Sequence, residues 1–186
     1  MESLLRFDLQ LFHLINQVWI SSWADGLLSF IRNQYIWGPL YVFLISFLIF
    51  NYGKRGLFFC LLIIVTVISS NLISSELIKK NVQRIRPCNQ VTLEGQRRLL
   101  VHCGSGYSFT SSHATNHFSV AMFLVLGGAT FLGRFRYLFL IWAASIAYAQ
   151  VYVGVHFPFD VVAGSILGMI VGWLTYQVFH RFNFLR

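Results

Sequence analysis

The sequence predicts an all-α, polytopic transmembrane helix bundle: five spans preceded by an interfacial helical region. Three observations carry this. Hydrophobic residues make up 56% of the 186-residue chain and charged residues only 11%, whereas a water-soluble domain carries about 25% charged residues. The apolar residues fall in runs near the ~20 that cross a bilayer. The cations fall in the segments between those runs. The length is that of a single domain, taken as residues 1–186. The formal charge of +8 has no soluble basic face to act through, which excludes nucleic acid as a partner. An anionic lipid or a phosphorylated headgroup fits better.

Residues 1–35 are expected to form interfacial helices. Arg6, Gln10, His13 and Gln17 recur at helical spacing as a polar stripe, with Leu4, Leu11, Leu14, Ile15 and Val18 facing elsewhere. Ser21-Ser22 breaks the pattern, and Ser22 is expected to cap a second short helix over 23–32, with Asp25 in its first turn. The alternative is one distorted span over 4–32, which makes the total six. The opening residues do not read as a cleavable signal peptide, so the spans are expected to direct insertion.

The first span covers 36–52, with Trp37 and Tyr52 near opposite interfaces, and 51–56 reads as a tight basic turn. The others are expected at 57–78, 112–132, 137–153 and 159–179, the third ended by Gly133-Arg134-Phe135-Arg136 and the last by His180, Arg181 and Arg186. Alternation puts the turns at 53–56 and 133–136 and the C-terminal end on one side, and the loop 79–111 and the turn 154–158 on the other. The positive-inside rule assigns the short basic turns to the cytoplasm. The long loop is then extracytoplasmic, in a multi-pass protein of the inner (plasma) membrane.

That loop organises the chain. It holds six of the fourteen Lys and Arg, namely Lys79, Lys80, Arg84, Arg86, Arg97 and Arg98, against Glu94 alone. Such a concentration between spans points to an anionic ligand at the membrane surface. Cys88 and Cys103 both lie in it. In an oxidising compartment they are candidates for a disulfide closing about 15 residues; two free thiols are the alternative reading, and a zinc site with His102 matches no ordinary spacing. Cys60, inside a span, reads as a packing residue.

Three clusters carry chemistry. In Lys79-x6-Arg86-Pro87, helix running past the interface would place Lys79 and Arg86 on one face, with Pro87 ending it; snorkelling cations are the plainer reading. In Tyr107-Ser108-Phe109-Thr110-Ser111-Ser112-His113, hydroxyl residues precede an apolar helix, which is both an N-cap signature and an anion site. His113 and His117, four apart, lack a third metal ligand. In His156-Phe157-Pro158-Phe159-Asp160, a carboxylate four residues on can hold one imidazole nitrogen and leave the other free; a capping Asp beside an interfacial His is the alternative.

In this order and at these spacings, Lys79-x6-Arg86-Pro87, Ser111-Ser112-His113 and His156-x3-Asp160 resemble the type 2 phosphatidic acid phosphatase (PAP2) family over about residues 36–179. The resemblance implies a metal-independent hydrolase with no cofactor. In it, His156 attacks phosphorus to form a phosphohistidine, Asp160 holds His156, and His113 protonates the leaving oxygen. Lys79, Arg86, Ser111 and Ser112 would bind the phosphoryl oxygens. Two positions depart from the family pattern. Ser112 stands where Gly is usual. Gln150 stands where the third motif usually has Arg; it can hydrogen-bond a phosphate oxygen but brings no charge, and Arg84, Lys80, Arg97 or Arg98 are the expected replacements. The implied partner is a membrane lipid phosphate in the bilayer. Undecaprenyl diphosphate is the leading substrate, with phosphatidylglycerophosphate, phosphatidate and lipid A 1-phosphate as rivals. A non-catalytic lipid-phosphate binder is the alternative of another class.

Overall fold

The computed structural model describes residues 2–182, and all regular elements within them are helical. Arg186 lies outside the described residues. The chain runs through α1 (Glu2–His13), a π-helical turn Leu14–Val18, α2 (Ser22–Ile31), α3 (Gly38–Asn71), a second π-helical turn Leu72–Ile78 and α4 (Lys79–Val82). After the long loop come α5 (Ser112–Gly127), α6 (Ala129–Leu132), α7 (Leu138–Tyr152) and α8 (Pro158–Arg181). By length and apolarity, two segments of the described residues can cross a membrane: Gln34–Val82 and Pro158–Arg181. A third qualifies if Ser112–Gly127 and Ala129–Tyr152, which meet at 79°, count as one.

α5 is the central helix and packs against α3, α7 and α8. Its contact with α8 is backbone to backbone. Gly164, Gly168 and Gly172 line one face of α8, and a Cβ on any of them would collide with the carbonyl of Ser111, Thr115 or Ser119 respectively. Small residues every fourth position are what allow two apolar helices to approach this closely. The outer side of α8 carries exposed Val162, Ile166, Ile170 and Leu174. Large apolar groups outside and small ones inside is the arrangement expected where the surrounding medium is lipid.

α3 is two helices joined at Gly53, whose backbone (φ 54°, ψ −127°) only glycine adopts easily. Tyr41, Leu44 and Leu48 before the break and Cys60, Ile64 and Val67 after it line the same apolar cavity, as the two arms of a hairpin would. Gly56 nests against the Leu48 carbonyl, leaving no room for a Cβ. Near this turn Phe47, Tyr52 and Phe59 pack on Phe131, and Phe59 on Phe123 and Phe179. The long loop, the turn 153–157 and the N-terminal helices gather at the other end.

Several expectations are corrected. The helix expected to reach Pro87 ends at Val82, where Gln83 adopts a left-handed conformation (φ 52°). Lys79 and Arg86 therefore share no helical face, and the chain turns to bring Arg86 back. The run 112–132 is not one helix but breaks at Gly128. Ser21, not Ser22, caps α2, its side chain accepting from the Ala24 N–H at 3.2 Å. Of α1 and the turn after it, Asp8, Phe12 and Asn16 pack inward, because Asp8 and Asn16 find polar partners that no pattern within one helix reveals; Leu4, Leu14 and Val18 of the apolar face are exposed. Asn16 Nδ2 donates to the Arg98 and Tyr152 carbonyls at 2.9 and 2.8 Å, and its Oδ1 accepts from the Arg98 N–H at 2.8 Å.

Candidate active site

The turn between α7 and α8 fixes His156. The backbone N–H groups of Val155 and His156 both donate to the Gln150 carbonyl at 3.2 Å. Gly154, at φ +88°, lets the chain pass against the Arg98 carbonyl. The His156 ring is 2% exposed. Its Nε2 lies 3.2 Å from Arg86 Nη1, and its Nδ1 lies 3.3 Å from Ser108 Oγ. Guanidinium only donates, so Nε2 is the acceptor and Nδ1 carries the proton. The lone pair of Nε2 therefore points toward Arg86. Burial pushes the imidazole down to about 4, with Asp160 opposing and the Arg86 and Lys79 charges adding to it.

Asp160 holds this arrangement from behind. The carboxylate and Nδ1 are 3.6 Å apart, and the Ser108 hydroxyl bridges them, hydrogen-bonding Asp160 Oδ2 closely. The Phe157 N–H also donates to Oδ2 at 2.9 Å. Oδ1 takes Arg84 Nη1 at 2.6 Å, while Arg84 Nη2 pairs with Asp8 Oδ2 at 2.5 Å. Asp8 Oδ1 accepts from the Phe159 N–H at 2.9 Å. One guanidinium thus joins two fully buried carboxylates, one from α1 and one from α8. Burial raises the Asp8 pKa above the usual carboxylate value, with Arg84 pulling the other way.

Arg86 is held by carbonyls, its Nε by Gly106 at 3.2 Å and its Nη1 by Val155 at 3.4 Å. Burial lowers its pKa, with Asp160 opposing. Lys79 lies near enough for the charges of Arg86 and Asp160 to act on it. His113, in the first turn of α5, is likewise within electrostatic reach of Arg32, His117, His156 and Lys79. The two histidines from distant stretches thus lie at the same end of the bundle with Lys79 and Arg86. Among the described residues, no group of three or more His, Cys, Asp or Glu could hold a metal ion.

Ser111 and Ser112 are more occupied than the sequence suggested. Ser111 caps α5, its hydroxyl accepting from the Ala114 N–H at 3.4 Å, and its own N–H donates to the Asp160 carbonyl at 3.0 Å. The Ser112 hydroxyl bonds Ser74 and Ser75, each at 3.0 Å. Cys88 and Cys103 form a disulfide with Cα atoms 5.9 Å apart, and Cys60 is buried and free. Gln150 is fully buried, accepts from Arg32 Nη2 at 3.4 Å, and leaves its Nε2 without a partner among the described residues.

The four cations expected to replace a charge at Gln150 are engaged elsewhere. Arg84 serves the two aspartates, Lys80 pairs with Glu76 at 2.5 Å, Arg97 donates to the Gln90 carbonyl at 2.7 Å, and Arg98 pairs with Asp25 at 2.5 Å. The sequence reading missed Ser108, Asp8 and Arg32. Ser108 stood in the hydroxyl-rich run already singled out. Asp8 was a visible signal, because it lies between the apolar Phe7 and Leu9 and off the stripe formed by Arg6, Gln10 and His13, and a buried acid needs a partner.

A model of the PAP2 superfamily matches residues 55–184. The chain is 31% identical over 184 residues to the lipid A 4'-phosphatase of Bacteroides thetaiotaomicron, covering 97% of this chain and 80% of that protein. It is 29% identical over 180 residues to the undecaprenyl-diphosphatase of Sulfolobus acidocaldarius, covering 95% of this chain and 81% of that protein. The fold matches the crystal structure of the PAP2-type phosphatidylglycerolphosphate phosphatase of Bacillus subtilis with a TM-score of 0.79 at 22% identity, over 100% of this chain and 90% of that one.

Proposed function

The chain belongs to the PAP2 superfamily, and from that premise we propose that it hydrolyses a phosphate ester of a membrane lipid through a phosphohistidine. One observation carries the chemistry: His156 keeps its Nδ1 proton toward Ser108 and Asp160 and presents a lone pair at Nε2 beside Arg86. A buried neutral imidazole in that tautomer is a competent nucleophile at neutral pH.

In the first step Nε2 bonds to phosphorus as the bond to the lipid oxygen breaks. His113, charged by a proton taken up beside the bound phosphate dianion, gives that proton to the leaving oxygen, so the lipid leaves as an alcohol from a monophosphate, or as a monophosphate from a diphosphate. Water then attacks phosphorus, His113 takes its proton, and the P–N bond breaks to release phosphate and restore His156. Lys79 and Arg86 hold the phosphoryl oxygens while negative charge spreads over them. The Ser111 hydroxyl is spent on the helix cap, so the α5 backbone N–H groups of Ser112 and His113 are the remaining donors at that end. No metal ion takes part in this scheme.

The named relatives favour a lipid A phosphate, with undecaprenyl diphosphate second. The reading includes five crossings. Forty-nine residues of helix would extend about 70 Å, more than twice a hydrocarbon core, so the segment Gln34–Val82 is taken as two passes turning at Gly53. The basic residues Lys54, Arg55, Arg134 and Arg136 then face the cytoplasm. The site faces outward, in keeping with a disulfide in its loop.

The test is phosphate release in detergent from lipid A and from undecaprenyl diphosphate, with chelator present. The wild-type protein should release phosphate, and a folded His156→Ala protein should not. Equal release from both, or activity abolished by chelator, overturns the mechanism; no release from either lipid or from other phospholipid phosphates leaves a lipid-phosphate binder.

A further inference from the structure

The end of α2 brings a cation to the site that the motifs do not contain. Arg32 follows Ile31 at the C-terminal end of this short helix, and its Nη2 reaches Gln150 Oε1 at 3.4 Å. Its Nε is buried without a partner among the described residues, and so is the Nε2 of Gln150. Arg32 is half-buried, and among the described residues it pairs with no carboxylate; the same holds for Lys79 and Arg86. The Arg86 charge acts on Arg32, and the Arg32 charge on His113, which places Arg32 at the same end of the bundle as these site residues.

Three cations without counter-ions, gathered around two imidazoles, are costly to hold together. Partly buried like charges repel, and each loses water without gaining an anion. Such a cluster persists where a ligand of opposite charge completes it. Gln150 is suited to orient Arg32 but not to replace it, because an amide brings no charge. Its backbone carbonyl also anchors the turn that carries His156, so Arg32 is registered to the same structural unit as that residue.

We propose that Arg32 is a third phosphoryl-oxygen ligand, oriented by Gln150, so that the N-terminal helices complete the anion site of the bundle. The ligand class is a phosphate or diphosphate group carrying two or more negative charges. The inference rests on the proposed phosphatase reading for its catalytic consequence, but not for anion binding itself.

The experiment has two arms. In the first, binding of inorganic phosphate to the full-length detergent-solubilised protein is measured by calorimetry. Arg32→Gln should weaken it by roughly tenfold or more, the loss of one charge-assisted hydrogen bond, with an unchanged unfolding midpoint; Arg32→Lys should recover part of the loss. In the second arm, KM and kcat for lipid phosphate release are measured for Arg32→Gln, Gln150→Arg and the double exchange. The exchange should restore most of what Arg32→Gln removes, because it returns a guanidinium to the same corner. Unchanged phosphate binding in a folded Arg32→Gln protein, or a loss that neither Arg32→Lys nor the exchange relieves, overturns the proposal. If the wild type binds phosphate in an Arg32-dependent way but hydrolyses no lipid phosphate, the enzymatic reading fails and the ligand assignment stands.

Discussion

His156 Nδ1 and the Asp160 carboxylate are 3.6 Å apart, beyond hydrogen-bonding distance, and the Ser108 hydroxyl occupies the gap between them. In the proposed mechanism the acid therefore orients the nucleophile through a relay. Ser108→Ala should let the ring tilt and lower kcat by roughly 100-fold, the cost of a small misplacement at the reacting atom. KM should change little, because Lys79 and Arg86 are untouched. A Ser108→Ala enzyme with wild-type kcat would show that the direct pair suffices.

The burial of His156 has a pH signature. An ordinary histidine titrates near 6.5, while this ring is held down to about 4 by burial, with the Arg86 and Lys79 charges adding and Asp160 opposing. In phosphate-free protein the nitrogen-15 shifts of His156 should show a neutral ring down to about pH 4. Between about 4 and 6.5 the unfolded chain binds the proton and the folded one does not. Stability should therefore rise with pH across that window and level off above it. His156→Gln should remove this contribution; a ring titrating near 6.5 would contradict the buried geometry.

Arg84 joins two carboxylates that have no solvent exposure. Arg84→Ala leaves both buried without their cation, at a cost of about 3–5 kcal/mol, read as a lowered unfolding midpoint in detergent. Asp8→Asn should cost much less. Asparagine still accepts from the Phe159 N–H, and removing one negative charge relieves an unequal cluster of two acids and one base. Equal losses for the two substitutions would mean that the ion pairs contribute little.

The α5–α8 contact depends on missing side chains. Gly168→Ala puts a methyl group into the Thr115 carbonyl and should cost about 1–3 kcal/mol. Ile170→Ala, two residues on but half exposed on the lipid side, should leave the midpoint unchanged. A tolerated Gly168→Leu would show that the two helices are not in close contact.

Much of the site was legible because its residues lie in short local patterns. His156 and Asp160 are four apart across one helix start and Ser111 precedes an apolar run, so the imidazole–carboxylate spacing, the capping pattern and the family resemblance singled them out. The relay serine, the second aspartate and Arg32 were not legible in this way. Ser108, Asp8 and Arg32 act on partners 48, 76 and 118 positions away in the chain, and no local pattern carries such pairings. The same limit explains the misplaced end of the helix before Pro87. Proline shows where a helix cannot continue, but the stop at Val82 depends on Gln83 turning left-handed and on the Arg84 carbonyl accepting from the Ser108 N–H at 2.7 Å.

The sequence alone determined the medium and the chemical class. Apolar runs of bilayer length admit only helices, because a backbone in lipid must satisfy its own hydrogen bonds, and the three motifs named the residues proposed to handle a phosphate. The tertiary structure decided which charges pair with carboxylates and which are left for the proposed ligand. Arg84 and Arg98 find carboxylates, while among the described residues Lys79, Arg86 and Arg32 do not. That division follows from which side chains the packed helices bring within a few ångströms of one another, and electrostatic energy depends on that separation rather than on position in the chain.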